Sequence, residues 1–261
     1  MKHVTILAYH RVFPDKRGSL AVTPENFEYQ LTSFLQKGYS AITLKDLYEN
    51  YLKMGKAIPP RTLVITFDDG YKDNYAYAFP ILRKLKVPAT IFLAADYIGK
   101  EVTFPWDRID PDLLNVTFTS MDHPLTWEQS KEMHQAGIEF GSHTMTHPKL
   151  TQISLDEARN ELYSSKQMIE EKLGAPVYSF CAPYGYINPG VLKLSEKAGY
   201  MVGVLNPPGI PGQDAGLPET RYSLRRIGVY SHDTVEKLHL KNSFLFTNLF
   251  RTIRSWLPRK K

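Results

Sequence analysis

Short apolar runs rich in β-branched residues recur along the chain: VTILAY (4–9), AIT (41–43), TLVITF (62–67), ATIFLA (89–94), GIEFGS (137–142), VYSFC (177–181), MVGVL (201–205) and RIGVY (226–230). Most lack the polar alternation of a half-solvated strand and are predicted to be strands buried on both faces. Between them lie segments with apolar residues at helical spacing. TPENFEYQLTSFLQKG (23–38) opens with Thr23 as N-cap and Pro24 in its first turn and stops at Gly38. YAFPILRKLK (77–86), TWEQSKEMHQAG (126–137) and SLDEARNELYSSKQMIEEKLG (154–174) follow the same period.

Strands and helices that alternate in this way predict a parallel α/β sheet, and the length suits a distorted (β/α) barrel of seven or eight mostly parallel strands. A functional site is then expected at the carboxyl ends of the strands. One stretch breaks the alternation: residues 97–125, YIGKEVTFPWDRIDPDLLNVTFTSMDHPL, are long and aromatic with little periodicity, as expected of a lid or binding element. Residues 1–240 are expected to form one catalytic domain and 241–261 a basic amphipathic C-terminal helix. In that tail Phe246, Leu249, Phe250, Ile253 and Leu257 recur at helical spacing with basic residues between them, which suits peripheral membrane contact or packing on the domain.

Composition narrows the chemistry. With 261 residues, 43% of them apolar, the chain can bury a sizeable core. Its net charge of +5 is scattered apart from the tail, which argues against a nucleic-acid partner. Cys181 is the single cysteine, so an internal disulfide and a cysteine-rich zinc site are excluded, and a metal would have to sit on histidine and carboxylate. The N-terminus reads as a core strand and not as a leader, and no apolar stretch approaches the roughly 20 residues of a membrane span. Both features point to the cytoplasm or the inner membrane face.

The chemistry starts at TFDDGY (66–71), where Asp68 and Asp69 stand side by side after a buried strand. Adjacent carboxylates repel and are costly to bury, so the pair calls for a cation or a shared proton. GSHTMTH (141–147) places His143 and His147 four residues apart; on one turn of helix they would share a face. Both clusters follow predicted strands and so should open on one face. One Asp with two His forms the ligand set of a catalytic zinc-type site, leaving a position for a water acidified to a pKa of about 7 and a second Asp as base.

TFDDGY, SHTMTH (142–147) and FCAPYG (180–185) resemble, in order, the first three motifs of the polysaccharide deacetylase family of metal-dependent carbohydrate esterases, with the resemblance running over about residues 4–230. It implies that Asp69, His143 and His147 hold the metal and that Asp68 is the general base. It also implies that the Tyr184 backbone N–H meets the oxyanion, with Pro183 and Gly185 shaping the turn. Where the family carries an Arg that pairs with the base, this chain has Cys181. The pattern looks most like the branch that deacetylates poly-β-1,6-N-acetylglucosamine, which also lacks that Arg, ends its first strand on YHR and has an Arg before a late strand. Arg226 is therefore expected to supply the cation.

For the general acid the resemblance calls for a His; His10 in AYHRV is favoured over His232 in YSHDT. The family's fourth motif, an Asp and a Trp, is not visible after the third, and FPWDRID (104–110) offers Trp106 and Asp107 in its place. Trp106 and Phe104 are expected as walls for sugar rings, against an alternative of core packing or lid closure, and Trp127 as a helix-packing residue. The implied function is metal-dependent removal of N-acetyl groups from an N-acetylglucosamine-containing glycan, with Zn²⁺ as the metal and Co²⁺, Ni²⁺ or Fe²⁺ also compatible with the donors. Two alternatives stand beside it: hydrolysis of another C–N bond or an O-acetyl ester, and a carbohydrate-binding protein without turnover.

Overall fold

In the computed structural model, which describes residues 4–15, 17–206, 217 and 220–243, the apolar runs become strands that all lie parallel. They are β1 (Val4–Tyr9), β2 (Arg11–Val12), β3 (Ala21–Val22), β4 (Ser40–Ala41), β5 (Thr62–Phe67), β6 (Thr90–Leu93), β7 (Glu139–Ser142), β8 (Ser179–Cys181), β9 (Val202–Val204) and β10 (Ile227–Gly228). β2 and β3 pair with each other and were not expected. The other eight form one sheet ordered β10-β1-β5-β6-β7-β8-β9, with β4 beside the start of β5.

The two edges of that sheet are joined by one short stretch. Leu224 bridges Val204 of β9, and three residues later Ile227 and Gly228 pair with Leu7 and Ala8 of β1. The sheet thereby curls into the expected distorted barrel, and Arg226 lies on the segment that joins its edges.

Helices cover the outside: α1 (Pro24–Gln36), α2 (Leu44–Leu47), α3 (Phe79–Leu85), α4 (Trp127–Gln135), α5 (Leu155–Leu173), α6 (Pro189–Lys197) and α7 (Val235–Asn242). The Thr23 hydroxyl caps α1 by accepting from the Asn26 N–H, and the buried face of α1 carries Phe27, Leu31 and Phe34 into the main core. Trp127 packs half-buried against the same core, as its helical neighbours suggested. Sequence periodicity missed α2, α6 and α7. α2 is only four residues long before it widens into a π-helical turn (Tyr48–Leu52), whereas α6 did carry a start signal, Asn188 as N-cap followed by Pro189.

α7 runs through residue 240 to Asn242, past the expected domain boundary. Asn242 accepts from the Thr5 hydroxyl at 2.7 Å and donates to the Tyr39 hydroxyl at 2.8 Å, so α7 is part of the barrel. The rest of the expected C-terminal amphipathic helix, residues 244–261, lies outside the described residues. Among the described residues no helix is long and apolar enough to cross a membrane.

The 97–125 insertion, expected as a lid or binding element, is tied to the barrel by buried ion pairs. Arg11, 2% exposed, donates from Nε to Asp73 and from Nη2 to Asp122 in the insertion, both at 2.7 Å. Arg17 reaches the same Asp122 at 3.2 Å and the Thr117 carbonyl at 2.8 Å. Tyr71 and Pro124 form an antiparallel bridge beside them. Buried pairs of this kind resist opening, because separating them strands a charge in a dry interior.

Candidate active site

β5 delivers the two carboxylates. Its six residues are all buried, and the Asp68 N–H still bonds the Tyr9 carbonyl at 3.0 Å, so Asp68 is the last residue on the ladder. The chain then turns through left-handed backbone, with φ of 72° at Asp69 and 83° at Gly70. Only glycine fits the second position, because a Cβ there would lie 2.6 Å from Leu93 Cδ2. The turn sends neighbouring side chains to different partners, which is how adjacent like charges coexist.

Asp68, 1% exposed, accepts two hydrogen bonds from the Arg226 guanidinium: Nη1 to Oδ1 at 2.7 Å and Nη2 to Oδ2 at 2.8 Å. Arg226 is held in turn by the Leu205 carbonyl, the Asn206 side chain and Thr66 Oγ1, and Thr66 donates to the Leu7 carbonyl. The guanidinium is therefore fixed before it meets the carboxylate. Burial pushes the Asp68 carboxyl up, but the charge and hydrogen bonds of Arg226 outweigh it and hold the group well below the usual carboxylate range. Cys181 Sγ lies 3.1 Å from Arg226 Nη2, so the small residue leaves room for a cation that arrives from β10's side of the barrel.

Asp69 turns to the histidines. Its Oδ1 stands 3.3 Å from His147 Nε2 and 3.6 Å from His143 Nε2, and all three residues are buried. His143 and His147 do not sit on a helical turn, contrary to the spacing argument. They occupy a loop after β7 that is bent by left-handed backbone at Thr144 (φ 67°) and His147 (φ 65°), which is unusual for a β-branched residue. Glu161 of α5 holds this loop by accepting from the Met145 and Thr146 N–H groups at 2.8 Å each, and Thr144 Oγ1 accepts from the His147 N–H. Nothing in the sequence around Glu161 marks this role.

His143 Nδ1 contacts the Cys181 carbonyl at 2.8 Å, so Nδ1 carries the hydrogen and Nε2 faces Asp69 with its lone pair. Burial lowers the His143 pKa to about 4, which keeps the ring neutral at physiological pH. Burial raises Asp69, but the hydrogen bond and charge of His147, with His143, hold it below its ordinary value. One carboxylate oxygen and two imidazole nitrogens, lying within 4.8 Å of one another, form a donor set that fits a divalent metal. The backbone bond behind His143 is the outer-shell support such a ligand usually has.

The remaining expected residues sit around this centre. His10 follows β1, with Nε2 3.7 Å from Asp68 Oδ2 and its carbonyl held by Asn74 Nδ2 at 3.0 Å. His232 is 64% exposed, stacks on Tyr230 and has its Nε2 4.0 Å from Asp233 Oδ1. Pro183, Tyr184 and Gly185 form a tight turn after β8, with Tyr184 at φ 54° and Gly185 at φ 74°. The Tyr184 N–H has no hydrogen-bond partner among the described residues, whereas those of Gly185 and Tyr186 are used within the turn. The Tyr184 ring meets His147 edge-on at 4.6 Å.

Of the expected aromatic walls, Phe104 is fully buried, and Trp106 stacks on Phe104 at 4.5 Å and on His147 at 3.8 Å. Trp106 thus lies against the expected metal ligand His147 while staying partly exposed, and Phe104 backs it. Asp107 receives the Tyr71 hydroxyl at 2.6 Å, and burial raises its pKa to about 7. Asn206, Asn74 and Glu161 had no motif to announce them, since each acts through a partner distant in sequence, and Thr66 and Tyr71 fall within TFDDGY without a role being expected of them.

A family-wide profile described as polysaccharide deacetylase matches residues 55–203. The Bacillus subtilis protein YxkH is 33% identical over 224 residues, covering 86% of this chain and 70% of that protein. The poly-β-1,6-N-acetyl-D-glucosamine N-deacetylase of Staphylococcus aureus is 29% identical over 193 residues, covering 70% of this chain. The aligned part is 60% of the staphylococcal protein's length. Among solved structures, the Streptococcus pyogenes deacetylase PplD in complex with acetate superposes with a TM-score of 0.71 at 26% identity, covering 90% of this chain and 96% of that one. IcaB from Ammonifex degensii shares the fold, with a TM-score of 0.71 at 22% identity over 91% of this chain and 96% of that one.

Proposed function

The chain belongs to the polysaccharide deacetylase family, and from that premise we propose that it is a metal-dependent hydrolase that removes N-acetyl groups from an N-acetylglucosamine-containing glycan. The observation that carries the reading is the approach of Asp69 Oδ1 to both imidazole Nε2 atoms, at 3.3 and 3.6 Å, beside a second carboxylate already paired with Arg226. Asp69, His143 and His147 would hold the metal, with zinc the first expectation for two neutral imidazoles and one carboxylate. When bound, the metal supplies a Lewis acid that polarises the amide carbonyl and acidifies water.

The chain's own groups have separate tasks in this reading. Asp68, kept ionised and oriented by the Arg226 fork, takes a proton from the attacking water. The Tyr184 N–H donates to the oxygen that gains charge when the carbonyl becomes tetrahedral. His10, whose Nε2 is 3.7 Å from Asp68, gives a proton to the departing amine, so acetate and a free amino sugar leave. Cys181 at the motif's Arg position first suggested a binding protein without turnover. The bidentate Arg226–Asp68 pair removes that reason.

The test is metal analysis combined with an acetate-release screen over N-acetylglucosamine oligomers, peptidoglycan fragments and lipid-linked sugars. Acetate release that a chelator abolishes and zinc restores is the expected result. A metal-loaded protein that releases acetate from none of these would refute the reading, and release only from O-acetyl esters would replace it.

A further inference from the structure

Among the described residues seven buried side-chain polar atoms lack a hydrogen-bond partner, and three of them, His10 Nδ1, Arg11 Nη1 and Asp107 Oδ2, belong to residues of one cleft. All three residues line the same cleft, together with Arg17 and Tyr71, and its volume is about 20 Å³. That is room for one oxygen-sized group, since about 10–15 Å³ suffices for a water. Arg11 is committed through Nε to Asp73 and through Nη2 to Asp122, and Asp107 takes the Tyr71 hydroxyl on Oδ1. Each of these atoms is left without a partner in a buried setting, which is costly.

The unmet atoms differ in kind, and this selects the ligand. The charge of Arg11 is already answered by Asp73 and Asp122, so an anion would gain little there and would face Asp107. A cation would be drawn to Asp107 and repelled by Arg11. A neutral hydroxyl has one hydrogen and two lone pairs: it can donate to Asp107 Oδ2 while it accepts from Arg11 Nη1 and from a protonated His10 Nδ1. The cleft adjoins the reacting centre, because the other nitrogen of His10 is the one 3.7 Å from Asp68.

We propose that this cleft is a subsite for a single ring hydroxyl of the glycan, on the sugar that loses its acetyl group or on its neighbour. The proposal rests on the deacetylase reading and names a contact within it. A hydroxyl seated here also gives His10 an acceptor on Nδ1, orienting the ring while Nε2 serves the leaving amine. Asp107 is then a substrate-positioning residue placed by the insertion, and the Arg11 clamp sets its depth.

The experiment uses β-linked N-acetylglucosamine trimers, the parent and a set each lacking one hydroxyl, with wild type and Asp107→Asn. The Asn variant keeps the shape and can keep the Tyr71 bond. One deoxy trimer is expected to lose roughly tenfold or more in kcat/KM with wild type, as for one buried hydrogen bond. With Asp107→Asn the same deletion should cost less than about threefold. Deoxy trimers that all behave alike with wild type, or a loss of equal size in the variant, would overturn the proposal and leave the cleft to a water. If the parent trimer releases no acetate, the deacetylase reading fails by itself, and the same pattern is then sought in Kd by tryptophan fluorescence. Should the variant not fold, a crystal of wild type with the trimer decides: a sugar oxygen within about 3.2 Å of Asp107 Oδ2 is expected, and a water there refutes it.

Discussion

Replacing Arg226 tests the electrostatic design of the site most directly. In wild type Asp68 is 1% exposed and takes both of its strong hydrogen bonds, at 2.7 and 2.8 Å, from one guanidinium. Arg226→Ala leaves that carboxylate buried with His10 at 3.7 Å and the His143 ring within 4.8 Å. Removing one partner of a buried pair costs about 3–5 kcal/mol, which for a chain of this size lowers Tm by roughly 10 °C. The pH dependence carries a sign of its own. In wild type the Asp68 pKa lies below its unfolded value, so the group adds stability above about pH 4 that is lost as pH falls through the folded value.

In Arg226→Ala the burial that raises this carboxyl is opposed only by His10 and His143, and the folded pKa is expected to move above the unfolded one. The group then favours folding only at acid pH and loses that contribution as pH rises. The Tm gap between the two proteins should therefore be smaller at pH 4 than at pH 7. In the metal-loaded enzyme the acid limb of kcat/KM should move to higher pH, with a loss of about 100-fold near neutrality, in the range ascribed to a general base. Arg226→Lys, which keeps the charge and loses the fork, should fall between. Differential scanning calorimetry and a pH–rate profile provide both readouts. Full activity with an unmoved acid limb in Arg226→Ala would show that Arg226 does not tune Asp68.

His10→Ala is expected to lower kcat by about 100-fold or more while His232→Ala stays near wild type, because His10 lies 3.7 Å from Asp68 and His232 is 64% exposed; the opposite pattern in acetate release would exchange their roles. Arg11→Met should strand Asp73 and Asp122, cost about 3–5 kcal/mol, and expose residues 97–125 to limited proteolysis; an unchanged cleavage pattern would show that the clamp does not hold the insertion. Residues 244–261 carry Arg251, Arg254, Arg259, Lys260 and Lys261 and no acidic residue. At about 1 kcal/mol per basic residue near an anionic surface, deleting them should abolish co-sedimentation with phosphatidylserine vesicles, and equal sedimentation of the truncated protein would reject membrane contact.

The sequence by itself determined the strands, their parallel arrangement and the strand ends on which Asp68, Asp69 and His143 lie, because buried parallel strands demand apolar runs and helical crossovers demand a 3.6-residue period. It also marked the carboxylate pair as needing a cation, since that follows from local charge alone. Tertiary structure decided what depends on distance through space. Arg226 reaches Asp68 only because residues 224–228 join the barrel's edges; the histidines converge through a kinked loop held by Glu161, and not through helical spacing. Trp106 stacks on His147, and the insertion is tied to the barrel because Arg11 draws together Asp73 and Asp122 from segments 49 residues apart (122 − 73). Periodicity reports the face a residue buries; which group it meets there is set by the closure of the whole sheet.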